Sequence, residues 1–141
     1  MNEEVLAQNY VTQYLGEDST MSTLVNSVWL RSVPADELDP YVKIDRLDAD
    51  DVMVINLHRV WADLTFLVRG ITKVRDRGSV DWTDVGGIAD RIDSLLHDHE
   101  DLTSTLEMHS FREESFTDET IEGGNLWLHA GGIYRVRARA V

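Results

Sequence analysis

The stretch "RVWADLTFLVRGIT" (59–72) decides the fold. Val60, Ala62, Leu64, Phe66 and Val68 fall on one side of an extended chain. Asp63, Thr65 and Arg69 fall on the other, with Trp61 and Leu67. A period of two held over ten residues predicts a strand with one buried face and one partly covered face.

A second strand of the same kind closes the chain. In "NLWLHAGGIYRVRARA" (125–140), Tyr134, Val136, Ala138 and Ala140 alternate with Arg135, Arg137 and Arg139. The spacing predicts a core face and an arginine face. Between these strands, "DWTDVGGIADRIDSLLHDHED" (81–101) has helical spacing. Ile88, Ala89, Ile92, Leu95 and Leu96 share one side, Asp90, Arg91, Asp93 and Ser94 the other, with Asp81 or Thr83 as cap. This helix, over 83–98, is predicted to lie on the sheet against Leu64, Phe66 and Val136. Gly86 and Gly87 predict close packing in its first turn.

Residues 2–15 read as another helix. Asn2 is its cap, Glu3 and Glu4 suit the positive end of the helix dipole, and Val5, Leu6, Tyr10 and Tyr14 lie on one side. "GEDSTMS" (16–22) is a polar break. "STLVNSVWLRSV" (22–33) opens as a helical turn and ends as a short strand. "PADELDP" (34–40) is a loop, "YVKIDRL" (41–47) a strand, "DADD" (48–51) a turn and "KVRDRGSVD" (73–81) a charged loop. "TSTLEMHSFREESF" (103–116) is a long strand with an acidic bend. Two main helices and about five strands predict an α+β fold: a mixed, mostly antiparallel sheet with helices on one face, formed by residues 1–141 as a single domain.

The chain has 141 residues, 26 acidic and 13 basic, for a formal net charge of −13. An outer surface of that sign repels nucleic-acid phosphates. Without cysteine there is no disulfide, thiolate metal site or cysteine nucleophile. The start "MNEEVLAQNY" lacks the basic flank and apolar run of a signal peptide, and no stretch approaches the ~18 apolar residues of a membrane span.

No dinucleotide, P-loop or nucleophile-elbow motif is present. His97 and His99 in "HDHED" (97–101) diverge at a helix end, which favours a solvated terminus over a metal site. "DRLDADD" (45–51) lacks the glycine and closing glutamate of a calcium loop. No cofactor, metal or catalytic residue is therefore expected. The arginine ladder has two readings. Its members pair with facing carboxylates of the same chain, with Glu107, Glu113 and Glu114 as candidates, or they meet an acidic surface on another subunit.

Three stretches, in order, resemble the tail terminator (tail-tube completion) family of phages with long non-contractile tails. They are "STLVNSVWLRSVPADELDPYVKIDRL", "IADRIDSLL" and "HAGGIYRVRARA". They span roughly residues 22–140. The acidic segment "SFREESFTDETIEGGNLW" (110–127) departs from the pattern.

The resemblance implies a non-enzymatic virion protein, assembled in the host cytoplasm. It implies a homo-oligomer, a hexameric ring, at the head-proximal end of the tail tube. That ring ends polymerisation of the major tail tube protein and docks a head completion or stopper protein, while DNA passes through without specific binding. Candidate interface residues are Tyr134, Arg135, Arg137, Arg139, Lys73, Arg75 and Arg77. Candidate acidic residues of the lumen are Asp48, Asp50, Asp51, Glu113, Glu114, Asp118, Glu119 and Glu122. The alternatives are another neck component, such as a stopper or connector, and a small acidic enzyme or binding protein.

Overall fold

A computed structural model describes residues 3–53 and 59–141, with the side chains of 51–53, 59 and 60 outside the description. The elements are α1 (Glu3–Glu17), α2 (Met21–Leu24), β1 (Val28–Leu30), β2 (Tyr41–Met53), β3 (Arg59–Lys73), α3 (Thr83–Leu96), β4 (His99–Leu102), β5 (Leu106–Glu122) and β6 (Asn125–Ala140). The strands form one curled sheet in the order β1-β2-β3-β6-β5-β4. Among the described pairs only β1–β2 is parallel. The fold is α+β, as the two periodicities predict.

β3 and β6 form the centre of the sheet, paired antiparallel from Ala62↔Ala138 to Lys73↔Trp127. Their alternation is the predicted one. Ala62, Leu64, Phe66 and Val68 meet Tyr134, Val136 and Ala138 in the core, with Val42 and Ile44 of β2 and Leu106 and Met108 of β5. Val60, also expected there, has its side chain outside the described residues, and Ala140 is exposed at the end of β6.

Both main helices cover this one face. α3 buries Val85, Ile88, Ile92, Leu95 and Leu96, while Ala89 is half-buried. Asp81 accepts the Thr83 amide at 2.9 Å and so starts the helix from outside. The close approach between α3 and the sheet is not at Gly86 and Gly87, which have open space around them. It is at Gly70 of β3, where an added Cβ would lie 2.4 Å from Ile88 Cγ2. The small residue that admits the helix therefore belongs to the strand.

α1 buries most deeply a seam beside the expected one, and Leu6, Tyr10 and Tyr14 of the expected side pack partly buried against the same core. Ala7, Val11 and Leu15, spaced by four, are fully buried, while Val5 is exposed. Tyr10 and Tyr14 lie on the flank and stack with His99 of β4, Tyr14 at 4.5 Å between ring centroids. The tyrosines are the more conspicuous pair in the sequence, yet their hydroxyls need polar partners. The Tyr10 hydroxyl donates to Asp101 at 2.7 Å. Asn2 lies outside the described residues. Arg91 of α3 holds Asp18 bidentately at 2.7 and 2.9 Å, fixing the α1–α2 turn to α3.

Two expected irregular segments are strand instead. "DADD" (48–51) continues β2 along β3 from Asp48↔Thr65 to Asp51↔Ala62, after a bulge that leaves Leu47 without a partner. The bulge restores the inward position of Ala49, so pairing along β3 overrides the turn preference of aspartate. The acidic segment 113–122 likewise belongs to β5, irregular only at the register shift between Arg112 and Glu114, and is paired with β6 as far as Glu122↔Asn125. The turn is Gly123–Gly124, both at positive φ (58° and 80°), a two-residue hairpin that glycine permits. The sixth strand, β4, lies in "HDHED", where a helix end was expected.

Gly131 marks a close backbone approach between the central strands. A Cβ on Gly131 would lie 1.9 Å from the Val68 carbonyl oxygen and 2.7 Å from Arg69 Cα. Backbone cannot step aside as a side chain can. Gly131→Ala is expected to destabilise the protein by at least ~3 kcal/mol, read as a lowered urea midpoint. Gly86→Ala, with open space around it, should leave the midpoint unchanged or raised.

Candidate functional site

The sheet face turned away from α1 and α3 carries most of the unusual chemistry. Residues opposite one another in the register share a face. Asp50, Asp63, Arg137 and His109 therefore stand in one row of the open face, and Asp48, Thr65, Arg135 and Phe111 in the next. Toward the hairpin turn the rows become Lys43, Arg69, Gly131 and Phe116, then Tyr41, Ile71, His129 and Asp118.

The arginine ladder is neutralised within the chain. Asp63 accepts from Arg137 at 2.9 and 3.2 Å and from Arg135 at 3.4 Å. Arg135 also reaches Glu113 at 3.5 Å. Arg139 pairs with Glu107, its direct cross-strand partner, and lies over the Trp61 ring at 4.8 Å. Glu107 and Glu113 were expected as partners. Asp63 was not, because it lies 72 and 74 residues from its two arginines and finding it requires the β3–β6 register.

Asp63 is the best-buried member, with its side chain 11% exposed. The hydrogen bond from Arg137 holds its carboxyl below the usual range, against an opposing effect of burial. The three arginines remain about half exposed, at 42, 50 and 47%.

Tyr134 does not belong to that surface. It is buried in the core and donates to Asp93 of α3 at 3.0 Å. Burial, then the Asp93 hydrogen bond, pushes its hydroxyl pKa well up. Its place on the inward side of β6 follows from the same alternation that turns the arginines outward.

The other candidate cations fasten loops. Arg75 pairs with Asp39 at 2.6 Å, and Asp39 also accepts the Lys73 amide at 3.0 Å. Arg77 donates to the Gly124 carbonyl at the hairpin tip.

The candidate acids do not form a single cluster. Asp48 and Asp50 flank the ladder on β2 and are exposed. The Asp51 backbone is in β2, but its side chain lies outside the described residues. Glu113, Glu114, Asp118, Glu119 and Glu122 are exposed along β5. Beyond Ser110 that strand has β6 on one side and, among the described residues, no strand on the other.

The histidines of "HDHED" separate. His97 Nδ1 accepts the Arg112 amide at 3.1 Å, while His99 bonds the Tyr10 hydroxyl at 2.8 Å. Among the described residues no group of three or more His, Cys, Asp or Glu is placed to hold a metal ion.

The sequence did not reveal a cleft of about 320 Å³ at the hairpin end of the open face. Its walls include Pro34, Tyr41, Lys43, Arg69, Ile71, Thr120, Glu122, Trp127 and His129. His129 is 7% exposed, and its Nε2 lies 2.8 Å from Thr120 Oγ1. Burial, then the nearby Arg69 charge, lowers its pKa, against the pull of Asp118 and Glu122. His129 Nδ1, Arg69 Nε and Trp127 Nε1 are buried and, among the described residues, have no hydrogen-bond partner. Each such donor costs about 1–3 kcal/mol. Trp29 Nε1, on β1 beside Lys43 in the register, is in the same condition.

No protein-family model and no curated protein matches the chain.

Asp63→Asn is expected to destabilise the protein by about 1–3 kcal/mol near neutral pH, since it leaves Arg135 and Arg137 without their shared carboxylate. A carboxyl whose folded pKa is depressed stabilises above its unfolded pKa and loses that effect as pH falls through the folded value. The difference between parent and variant should shrink from about pH 5 to about pH 2 in urea titrations.

His129 has the opposite charge chemistry but the same direction. Its folded pKa lies below the unfolded value, so the unfolded chain binds the proton more readily. Stability should fall as pH drops below ~6.5, and His129→Gln should reduce that slope between about pH 7 and pH 5.

Proposed function

We propose that the protein is a structural, non-enzymatic component of a long non-contractile phage tail. Copies form a ring on the head-proximal end of the tail tube, stop its growth and present a docking face to a head completion protein. The observation that carries this reading is the outer part of β5. It is a strand edge about a dozen residues long, bonded on one side only among the described residues and lined by Glu113, Glu114, Asp118, Glu119 and Glu122. Such an edge offers backbone groups to another chain, and its charge suits a passage for DNA because phosphates are repelled. The resemblance over roughly residues 22–140 supports the same reading.

The ladder enters this proposal in a reduced role. Its pairing with Asp63, Glu107 and Glu113 leaves half-exposed guanidiniums with spare donors, so any neighbour would add to an existing network. No helix among the described residues is long and apolar enough to cross a membrane.

The test is electron microscopy of the purified protein mixed with tubes of the major tail protein. Rings seated on one tube end, together with shorter tubes, are the expected result. Tubes of unchanged length with no added density at either end would sink the proposal. Density at the portal side of heads, without capping of tubes, would move the protein to a stopper role. Replacing Glu113, Glu114, Asp118, Glu119 and Glu122 by lysine should leave the monomer folded and impair either capping or DNA ejection. Particles that cap and eject like the parent would remove β5 from the mechanism.

A further inference from the structure

We propose that the cleft at the hairpin end of the open face is a binding site for an extended, basic peptide segment of a partner protein, recognised through its main-chain carbonyl oxygens. This inference does not rest on the tail reading. Four adjacent strands build the site: Tyr41 and Lys43 come from β2, Arg69 and Ile71 from β3, Trp127 and His129 from β6, and Thr120 and Glu122 from β5. Three of its side chains hold a buried nitrogen without a partner among the described residues.

Two of those nitrogens, Arg69 Nε and Trp127 Nε1, can only donate. The third belongs to His129. When the Thr120 hydroxyl donates to Nε2 across 2.8 Å, the neutral ring carries its proton on Nδ1, giving a third donor. Three unpartnered nitrogens on residues lining one cleft, two of them donors and the third a donor in that tautomer, call for acceptor oxygens.

Local charge decides which acceptor. Lys43 and Arg69 are the cations, and Asp45 pairs with both, at 3.7 and 3.4 Å. Glu37 and Glu122 line the cleft, and Asp118 faces His129 in the register. A carboxylate or phosphate would find no surplus of positive charge here. An amide carbonyl takes the hydrogen bonds without that repulsion, and a lysine or arginine beside it meets Glu37 and Glu122. Val33, Pro34, Ile71, Tyr41 and Trp127 supply apolar and aromatic wall for flat peptide groups. The volume, about 320 Å³, is within the range of small-ligand sites. The three nitrogens are closed to solvent, so binding includes a small outward shift of the lining. Glu122 is exposed and has room to move.

The indole N–H groups report on this directly. Trp29, Trp61, Trp82 and Trp127 are the tryptophans of the chain, and Trp127→Phe assigns the relevant resonance in a ¹H–¹⁵N spectrum. The probes are acetyl-Ala-Lys-Ala-amide and acetyl-Ala-Glu-Ala-amide. The lysine peptide is expected to shift the Trp127 indole saturably, with a dissociation constant on the order of 1 mM. The glutamate peptide should bind at least ~5-fold more weakly. Thr120→Val, which removes the hydroxyl bonded to His129 Nε2, should weaken the lysine peptide while leaving the rest of the spectrum in place. The proposal is overturned if the Trp127 indole stays put, if Trp61 and Trp82 shift as much, or if the glutamate peptide binds as tightly. A Thr120→Val protein that retains its fold and binds like the parent also overturns it.

Discussion

The antiparallel pairing of β3 with β6 is the constraint on which the molecule depends. It joins two segments separated by a helix and two further strands, and it places both arrays of alternating residues in phase. One face then becomes the floor for α1 and α3. The other becomes a field of cross-strand charge pairs. A slip of one residue in β6 would exchange the faces of that strand, turning its arginines toward the helices and Tyr134 outward while Phe66 of β3 stayed inward. Gly131 allows a close backbone contact within this pairing, and Gly70 admits Ile88 on the helical side.

That pairing also explains how a chain of charge −13 accommodates adjacent arginines. Asp63 stands across from Arg137 and between two guanidiniums, and its low exposure makes the interaction stronger than that of a solvated pair. The ladder is therefore part of the sheet's own cohesion. Its half-exposed tips are what remains for a neighbour.

Much of the architecture was legible because periodicity is local. The central strands, β6 from Asn125 to Ala140 and the inward side of α3 follow from spacing alone. The failures have a common cause in contacts distant in sequence. Aspartates at 48–51 read as a turn until β3 is placed beside them, and the acidic bend expected within 103–116 is a register shift between Arg112 and Glu114, with β6 pairing the strand on to Glu122. The Ala7–Val11–Leu15 seam is weaker in side-chain bulk than the tyrosines beside it, yet it is the fully buried one, while Tyr10 and Tyr14 pack against the core only in part. The cleft was invisible for the same reason. Its lining comes from five separate segments, and nothing in the spacing of Arg69, Thr120, Trp127 and His129 brings them together.

The outer edge of β5 has a consequence for behaviour in concentrated solution. A strand edge of this length, unpaired among the described residues, is ordinarily a hazard, since a second copy can align on it and begin an open-ended aggregate. Here two such edges brought side by side would oppose Glu113, Glu114, Asp118, Glu119 and Glu122 with their own duplicates. Like charges across a strand pair repel. The edge thus discriminates by sign, rejecting its own image while leaving its backbone groups open to a neutral or basic strand. Salt would relax that discrimination, so crowding and ionic strength together set how far this surface keeps its copies apart.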